Sequence, residues 1–420
     1  MSSIAIVGSG IAGLGLAYYL RRTHDQLTIY EKDHHLGGHA NTVEITERGR
    51  QIPIDTGFMV FNHATYPLLL RLFDELEVPT EKTDMSFSVQ HRSSGLEYAG
   101  ASFDRLFGDR KNVFNLRFWR MLTEIDRFNK EGHETVLNPE NETLSLAEYA
   151  RARGHSNDFV NLYLLPMSSA IWSTAAEKML KFPAITLLRF FKNHGLLGVS
   201  TQHQWWTVKG GSREYVKRLL ATLNTVPRIS CEVARVKREA KKVLVTTVDG
   251  DTREYDQVAL ACHADQALRL VAEPSSDETR LLSAFSYQEN DTILHTDSNV
   301  MPRAKRCWAS WNYRIDENGT STHYWMNKLQ NISRNQDYIV TLNGEHLIEK
   351  SKILKRFSYH HPLFDLKALH AQSELHVLNE RSPRDQLFFC GSYFGYGFHE
   401  DALKSAHQLA ELMQAKVLCK

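Results

Sequence analysis

Three glycines near the start of the chain have the residue type and spacing of a phosphate-binding loop. Gly8, Gly10 and Gly13 form the pattern G-x-G-x-x-G. In such a loop the first glycine permits a sharp turn, the second lets the backbone approach a pyrophosphate, and the third lets a helix pack closely on a strand. The free N–H groups at the start of that helix, at Ile11 and Ala12, would face the phosphates.

Two β-type runs and a helix must position this loop. An apolar run over residues 4–7 leads into the glycines, helical spacing follows over 14–20, and a second β-type run covers 27–30. Glu31 comes directly after the second run, where a carboxylate would accept both hydroxyls of an adenosine ribose, and Lys32 follows it. This strand, turn, helix and strand pattern predicts a dinucleotide site.

A second pair of glycines follows the acidic residue. Gly37, Gly38 and His39 precede a hairpin-like run that ends at Thr56 and Gly57. This stretch resembles the E-x5-GG-R motif with which the flavin-binding amine oxidase, protoporphyrinogen oxidase and phytoene desaturase superfamily wraps FAD. The resemblance implies that FAD is the cofactor and that these five residues contact it. His39 stands where that superfamily usually has arginine, and we expect a weaker pyrophosphate contact because imidazole is neutral or partly charged near pH 7.

The C-terminal region carries the second half of the resemblance. A buried-type strand ends at Gly391 and Ser392, and a stretch rich in glycine and aromatic residues leads into a closing helix. In the superfamily this strand returns beside the first strand, and its last two residues would meet the pyrophosphate and ribityl chain. The residues implied to border the flavin ring are Gly397, Phe398, Glu400 and Ala402. The backbone near Val233 is implied to contact adenine.

Few side chains beside the flavin motif are candidates for proton transfer. His399 is the best-placed titratable group, and Tyr396 and Phe398 are candidate walls of the flavin ring. We take these three residues as the catalytic candidates. Amine oxidases of the superfamily also place a lysine near the ring, but the corresponding strand, 287–295, contains none.

Asp401 and the other histidines have structural alternatives. Asp401 stands where the superfamily has glycine, and it either caps the closing helix, which we favour, or lies near the flavin. A structural role is the open alternative for His399. The histidines that we interpret as structural are His295, His360 and His361.

Four stretches narrow the resemblance to a subgroup. They are residues 206–212, 290–297, 308–313 and 397–401, the last reading Gly-Phe-His-Glu-Asp. They resemble predicted FAD-binding oxidoreductases that also form the N-terminal half of plant cyclopropane fatty acid synthases and that often accompany related methyltransferases in bacteria. The resemblance covers essentially the whole chain. It implies a lipid substrate and a methyltransferase partner.

Composition excludes several classes of protein. The chain has 420 residues, of which 42% are hydrophobic and 24% charged, as in a globular protein with a sizeable core. The net charge of +1 gives no indication of a nucleic-acid partner. Five scattered cysteines without C-x-x-C spacing indicate neither a metal site nor a disulfide framework. Without a leader or a run of about 20 apolar residues, we expect a cytoplasmic protein, either free or peripheral to the inner membrane.

We predict an α/β fold in which a Rossmann-like FAD-binding domain of the amine-oxidase type is combined with a sheet-based α+β substrate domain and a helical insertion. The FAD-binding domain is expected to be assembled from three separate segments, at 1–65, 201–263 and 376–420. The segments predicted between them are a substrate-domain helix and hairpin at 66–102, the helical insertion at 103–200 and the substrate domain at 264–375.

Two segments of the insertion combine aromatic and basic residues. Segments 103–128 and 178–192 could each lie on an anionic membrane. The favoured alternative is that their aromatic residues belong to the core and their basic residues to a solvated face. Pro166 and Pro183 are expected to interrupt the helices between them.

These features predict an FAD-dependent oxidoreductase. The favoured reaction takes a hydride from a C–H bond of an apolar substrate, with a fatty acyl chain undergoing dehydrogenation or desaturation. An amine oxidase is one alternative. A non-redox flavin-dependent isomerase or a lipid-binding partner of a methyltransferase is the other, and a nicotinamide dehydrogenase is disfavoured.

Overall fold

The computed structural model describes residues 3–24, 26–100, 102–137, 143–198, 201–380 and 386–418. The strands are β1 Ser3–Val7, β2 Gln26–Tyr30, β3 Thr42–Glu47, β4 Arg50–Asp55, β5 Phe61–Asn62, β6 Thr80–Thr83, β7 Phe87–His91, β8 Leu96–Ala99, β9 Trp205–Val208, β10 Val233–Arg238, β11 Val243–Thr247, β12 Thr252–Tyr255, β13 Gln257–Leu260, β14 Ser286–His295, β15 Trp311–Asp316, β16 Gly319–Trp325, β17 Ile339–Leu342, β18 Ile353–Leu363 and β19 Leu387–Phe389.

The α-helices occur along the whole chain, most densely between residues 103 and 193. They are α1 Ile11–Leu20, α2 Pro67–Glu75, α3 Phe103–Leu106, α4 Leu116–Thr135, α5 Leu146–Ala152, α6 Asn157–Phe159, α7 Leu165–Trp172, α8 Ala176–Met179, α9 Ala184–Asn193, α10 Arg213–Leu220, α11 Ala264–Leu270, α12 Ser276–Leu282, α13 Met326–Leu329, α14 Leu366–Glu374, α15 His376–Glu380 and α16 His399–Leu418. Within the described residues, no helix is both long and apolar enough to cross a bilayer.

Apolar runs from three distant regions of the chain form one parallel sheet in the order β19-β13-β1-β2. Apolar side chains of β1, α1 and α16 share one core cluster, which brings the two ends of the chain together. The resemblance implied that the closing strand β19 lies directly beside β1, but it does not. Instead β13 lies between them and pairs with both, because its buried backbone bonds to a strand on each side.

The largest sheet among the described residues has seven strands in the order β18-β14-β17-β16-β15-β7-β8. The hairpin β7-β8 forms one edge of this sheet. It is attached through parallel pairing of β7 with β15, which lies some two hundred residues later in the chain. Strands β15 and β16 form a hairpin whose turn consists of Glu317 and Asn318, because Asp316 pairs with Gly319. Strand β15 starts at Trp311, and Cys307 before it lies in a short 3-10 turn.

Three small sheets complete the fold. They are the antiparallel meander β10-β11-β12, the hairpin β3-β4 and the sheet β5-β9-β6. Asp55 at the end of β4 ties distant regions together, because its carboxylate accepts hydrogen bonds from Ser212 at the start of α10 and from Gln330 after α13. Burial raises the pKa of Asp55 to about 6 despite these bonds.

Pro166 does not interrupt its helix, contrary to the prediction. Helical structure runs from Asn157 to Trp172, with a π-helical segment at Val160–Leu164 directly before the proline. A proline has no N–H group with which to donate a helical hydrogen bond, and its ring usually clashes with the preceding turn. The wider π turn leaves room for the ring, so the helix continues without a break.

The two aromatic and basic segments of the insertion differ in burial. In segment 178–192 all large apolar residues except the half-buried Leu180 are buried, which agrees with the core interpretation. The buried ones are Met179, Phe182, Ile185, Leu187, Leu188, Phe190 and Phe191. In segment 103–128 Phe107, Phe118 and Phe128 are also buried, but Phe114 and Leu116 are 88% and 84% exposed. The core interpretation therefore accounts for only some of the first segment.

Candidate cofactor and substrate site

One large cavity extends from the glycine loop to the helical insertion. Its volume is about 1190 Å³, above the roughly 300–1,000 Å³ of ordinary small-molecule pockets. Every residue predicted to contact the cofactor or to act in catalysis lines it, apart from Gly13 and Glu400. We call the region beside Gly8 and Glu31 the cofactor end, and the region beside Tyr163 and Trp172 the substrate end.

The glycine loop has the close packing that its spacing predicts. Gly8 has a φ of 107° and lies so close to Ala261 that a side chain there would meet its carbonyl oxygen at 2.8 Å. A side chain at Gly13 would collide with the Gly8 carbonyl, so Gly13 serves the packing of α1 on the loop and does not reach the cavity. Gly10, by contrast, has open space within 4 Å of where a side chain would begin.

Glu31 is held by a residue that the motif leaves unspecified. Its Oε2 accepts hydrogen bonds from Ser9 N at 3.0 Å and Ser9 Oγ at 2.5 Å, and its Oε1 accepts one from Asp33 N at 2.9 Å. Gly37 N in turn donates to Ser9 O at 3.1 Å. Ser9 therefore links the acidic residue to both glycine motifs, a role that sequence reasoning missed because the position is variable in the pattern.

The second glycine pair packs against the first. Gly38 has a φ of 58° and a side chain there would lie 3.2 Å from Gly10 Cα. A side chain at Gly57 would collide with the carbonyl of His39, which accepts a hydrogen bond from Phe58 N at 2.7 Å. Both glycines therefore permit close backbone approach around the cofactor end.

His39 lies within a group of histidines. Its ring centroid is 5.3 Å from that of His361 and 6.3 Å from that of His263, and all three residues line the cavity. Burial and neighbouring histidines lower the pKa of His39 to about 4 and that of His263 to about 3. These imidazoles are therefore neutral near pH 7 in the protein alone.

The structure separates the histidines that we interpreted as structural. His295 is buried, with Nε2 at 2.7 Å from Thr341 Oγ1 and Nδ1 accepting from Asp297 N at 3.1 Å, as expected for a core residue. His360 and His361 instead line the cavity. Their position at the cavity could not be predicted, because the sequence of the polar strand β18 does not indicate which of its faces meets the cofactor end.

Glu400 does not border the cavity, which contradicts the role implied by the resemblance. Its two carboxylate oxygens accept hydrogen bonds from Leu68 N at 2.8 Å and Leu69 N at 2.9 Å, so it caps the start of α2. His399 and Ala402, three positions apart, share the helix face that lines the cavity. Glu400 lies about 100° around the helix from His399, which turns it toward α2.

Asp401 forms a local cap, as favoured from the sequence. Its Oδ2 accepts a hydrogen bond from Phe398 N at 3.0 Å, and the carboxylate occupies the space that a side chain at Gly395 would need. Asp401 does not line the cavity. Burial raises its pKa to about 6.

His399 is packed on two aromatic side chains at the cavity wall. It stacks on Phe58 with ring centroids 3.8 Å apart, and its Nε2 lies 2.9 Å from the Tyr215 hydroxyl. Burial lowers the pKa of His399 to about 3. The imidazole is therefore neutral near pH 7 in the protein alone, and its contacts with Phe58 and Tyr215 hold it in place at the cavity wall.

The substrate end is built from aromatic and aliphatic side chains of the insertion and the seven-stranded sheet. Phe398 stacks near Phe190 with centroids 5.0 Å apart, and Trp172 donates from Nε1 to Tyr396 O at 3.2 Å. The remaining apolar lining includes Tyr98, Tyr163, Met167, Ala170, Ile171, Leu196, Trp205, Trp311, Tyr324 and Leu342. Sequence reasoning identified the insertion as apolar but could not tell which of its residues face the cavity.

Charged groups are scarce at the substrate end. Among the described residues that line the cavity, the one lysine is Lys32, beside Glu31 at the cofactor end. Asp84 is the one lining carboxylate outside the cofactor end in the same described set. Although burial opposes it, hydrogen bonds from Ser86 and Ser310 and the ion pair with Lys328, 3.0 Å away, lower the pKa of Asp84 to about 2.

Comparison with known proteins identifies the family. The model of the flavin containing amine oxidoreductase family matches residues 11–314, most of the chain. The chain belongs to this family. Flavin is its cofactor, and the family consists of oxidoreductases.

The curated relatives that match this flavin-containing amine oxidoreductase are distant. A Mycobacterium tuberculosis protein described as a putative flavin-containing monoamine oxidase is 25% identical over 257 residues, which cover 59% of this chain and 54% of that protein. The chain thus spans about half the length of the curated relatives it matches. The cyclopropane synthase subgroup stays a prediction.

Solved structures share the fold over almost the whole chain. A CLA-producing fatty acid isomerase from P. acnes superposes with a TM-score of 0.68 at 16% identity and covers 99% of this chain and 98% of its own. A putrescine oxidase bound to putrescine gives 0.70 at 16% identity, with 99% of both chains covered. A cyclohexylamine oxidase from Brevibacterium oxydans gives 0.68 at 12% identity, with 98% of this chain and 99% of that chain covered.

The residues at the cofactor end fit the FAD that the family implies. Open space at Gly10 adjoins the N-terminus of α1, which has no side-chain cap and no acidic residue in its first turn. Such a helix start favours a phosphate group. Glycines at 38 and 57 let the surrounding backbone pack closely around this space, and Glu31 supplies a buried carboxylate after β2. The cavity continues from these residues to the substrate end, and its volume of about 1190 Å³ is above that of ordinary pockets for one small molecule.

Proposed function

We propose that the protein is an FAD-dependent oxidoreductase that takes a hydride from a C–H bond of an apolar substrate, with a fatty acyl chain as the favoured class. One observation carries the choice of substrate. The substrate end is lined by aromatic and aliphatic side chains, and its one described carboxylate, Asp84, is already paired with Lys328. A cationic amine would find no unpaired carboxylate among these described residues, whereas a hydrocarbon chain would bury apolar surface.

When bound, FAD supplies the hydride acceptor. The protein's residues would bind and orient it. Backbone N–H groups of the glycine loop and of the start of α1 would donate hydrogen bonds to its phosphates, and His399 and Phe58 form one wall of the cavity. Phe398, Phe190 and Trp172 exclude water from the substrate end, which strengthens electrostatic interactions within it. The N-terminus of α16 brings the positive end of a 20-residue helix to the cavity wall at His399 and Ala402, which favours negative charge nearby.

Isomerisation of a double bond in an unsaturated fatty acid is a second candidate. Two observations favour it: His399 is neutral, and no lysine lines the substrate end among the described residues. These residues therefore provide neither a charged histidine nor the lysine that amine oxidases of the superfamily place near the ring. The shared fold with a fatty acid isomerase is consistent with it. Amine oxidation is a third candidate, supported by the curated relative described as a monoamine oxidase.

Lipid analysis of a deletion strain tests the proposal. We expect loss of the gene to change the number of double bonds in a subset of acyl chains, as measured by mass spectrometry of total lipids. A change in double-bond position without a change in number would support isomerisation instead. Acyl chains unchanged under all growth conditions, together with hydrogen peroxide release by the purified protein on addition of polyamines, would establish amine oxidation and refute the acyl substrate.

The methyltransferase partner and the cytoplasmic location also stay predictions. Co-purification of a tagged full-length chain with a cyclopropane synthase-like methyltransferase would support the partner. Absence of such a protein from the purified material would count against it.

A further inference from the structure

Exposed large apolar residues concentrate in one short segment of the surface. Five lie between residues 103 and 119: Phe103, Val113, Phe114, Leu116 and Trp119 are 72%, 43%, 88%, 84% and 39% exposed. We call residues 103–120 the aromatic patch. Single exposed apolar residues are ordinary on protein surfaces, but a concentration of this kind marks an interaction site.

Basic residues surround the exposed apolar side chains. The aromatic patch contains five basic residues and two acidic ones, Asp104 and Asp109, in a chain whose total net charge is +1. Gly108 packs against Cys307 and Arg306, which brings a second basic stretch beside the patch. The basic residues of the two stretches are Arg105, Arg110, Lys111, Arg117, Arg120, Arg303, Lys305 and Arg306.

Some of this charge is available for a partner. Arg110 pairs with Asp104, Arg117 with Asp158 and Arg120 with Glu124, so these three arginines are partly neutralised. Lys111 takes part in none of the ion pairs found among the described residues and is exposed. Exposed aromatic side chains flanked by unpaired basic groups match the chemistry of an anionic lipid surface, with hydrocarbon beneath negatively charged headgroups.

The aromatic patch adjoins the substrate end of the cavity. Beneath it Phe107 and Phe118 are buried with ring centroids 5.7 Å apart, and Phe118 lies 5.4 Å from Tyr98. Tyr98 lines the cavity, as does the exposed Gly100 just before the patch. A bilayer seated on the patch would therefore lie beside the apolar half of the cavity.

We propose that the aromatic patch docks the protein on an anionic lipid bilayer, with Phe103, Phe114 and Leu116 in the acyl region and the surrounding basic residues against the headgroups. Docking is peripheral. It does not depend on the proposed reaction, because it rests on surface exposure and charge alone.

Vesicle sedimentation with the full-length FAD-loaded protein tests the proposal. We expect the protein to sediment with phosphatidylglycerol vesicles at low salt and much less with phosphatidylcholine vesicles. Binding to phosphatidylglycerol vesicles should fall as salt rises, because salt screens the headgroup attraction. Phe114→Ser/Leu116→Ser should weaken binding about tenfold or more by removing two membrane-inserting side chains. Lys111→Glu should weaken it by a few fold.

Two controls match these variants. Val226 is 88% exposed outside the patch, and Val226→Ser should leave vesicle binding unchanged. Lys178→Glu changes an exposed lysine of the second aromatic and basic segment, whose apolar residues are buried, and should also have little effect.

Three results would overturn the proposal. The first is failure of the wild-type protein to bind phosphatidylglycerol vesicles at low salt, and the second is equal binding by Phe114→Ser/Leu116→Ser. The third is a protein that does not bind vesicles but forms a concentration-dependent dimer, and that loses the dimer in the double variant. A second copy of the chain would then cover the patch. Reduction of the flavin by soluble acyl substrates would be unaffected in each case, so failure of docking and failure of the proposed reaction can be distinguished.

Discussion

The two ends of the cavity are built in different ways. At the cofactor end, glycines at 8, 10, 38 and 57 and one carboxylate shape the site through the backbone, within the first sixty residues of the chain. At the substrate end, side chains from the helical insertion, two distant regions of the seven-stranded sheet and the start of α16 meet. The glycines that shape the cofactor end thus leave a pattern in one stretch of sequence, whereas the substrate end arises only from tertiary packing between distant stretches.

The largest expected effect is the loss of FAD when a side chain fills the cofactor end. Gly10→Val should lower the affinity for FAD by roughly tenfold or more, since filling a fitted space typically costs about 1–3 kcal/mol. The flavin-to-protein ratio after purification measures this. Gly100→Val is the matched control, because Gly100 also has open space around it but lies at the substrate end. Equal flavin loss in both variants would show that the two ends are not separable.

A carboxylate placed at the substrate end should weaken the binding of acyl chains without lowering the affinity for FAD. Ile171 lines this end, and Ile171→Asp should weaken binding of an acyl chain by roughly tenfold or more because of the cost of desolvating the charge. Ile171→Asn has nearly the same shape as the Asp variant without the charge. We expect it to have a smaller effect in a fluorescence titration with fatty acids. If the Asp variant bound acyl chains as well as the Asn variant does, Ile171 would lie outside the acyl site.

The affinity for FAD should rise as the pH falls. His39 has a pKa of about 4 in the protein alone, and a nearby diphosphate would raise that pKa, so binding takes up a proton. Affinity is then highest below about pH 4, the pKa of His39 in the free protein. It decreases as the pH rises from there through the pKa of the bound state, by at most about tenfold per pH unit for one such group.

A titration of the FAD-free protein with FAD between about pH 5 and pH 8, where folded proteins are usually most stable, measures this slope. His39→Arg should flatten it, because guanidinium keeps its charge throughout. His263 and His361 lie beside His39 at the cavity wall and would contribute a residual slope. Parallel profiles for wild type and His39→Arg would exclude His39 from the phosphate site.

The smallest expected effect concerns Glu400. Glu400→Ala removes the acceptor for Leu68 N and Leu69 N and should lower the free energy of unfolding by about 1–2 kcal/mol. The absorption spectrum of the bound flavin should not change, because the carboxylate does not face the cavity. Glu411→Ala on the exposed face of the same helix is the control for thermal melting. A shifted flavin spectrum in Glu400→Ala would restore the role that the sequence resemblance implied.

Sequence reasoning predicted most of the cofactor end because glycine is chosen there for backbone geometry, which leaves a pattern in the sequence. Gly8, Gly38 and Gly57 each stand where a side chain would strain the backbone or meet a neighbour. Ser9 was missed because its hydroxyl acts at a position that the motif leaves free. Glu400 was wrongly placed because a motif gives the order of residues but not the rotation of the helix that carries them.

The substrate end could be predicted only as apolar. Helical periodicity shows that Phe182, Leu187 and Phe191 are core residues but cannot show that Phe190 reaches Phe398 from a distant region of the chain. Pro166 indicated a break because the sequence does not reveal the π turn that accommodates it. The same limit applies to His361, whose position on the cavity wall follows from strand pairing with β14.

Anaerobic mixing of the FAD-loaded protein with candidate substrates tests the central claim most directly. The measurement is the loss of the long-wavelength absorbance of the flavin in the absence of oxygen. We predict bleaching by fatty acyl substrates and no bleaching by polyamines, because the substrate end offers apolar surface and no unpaired carboxylate among the described residues. Bleaching by polyamines alone, or turnover of acyl substrates without any bleaching, would contradict hydride removal from an acyl chain.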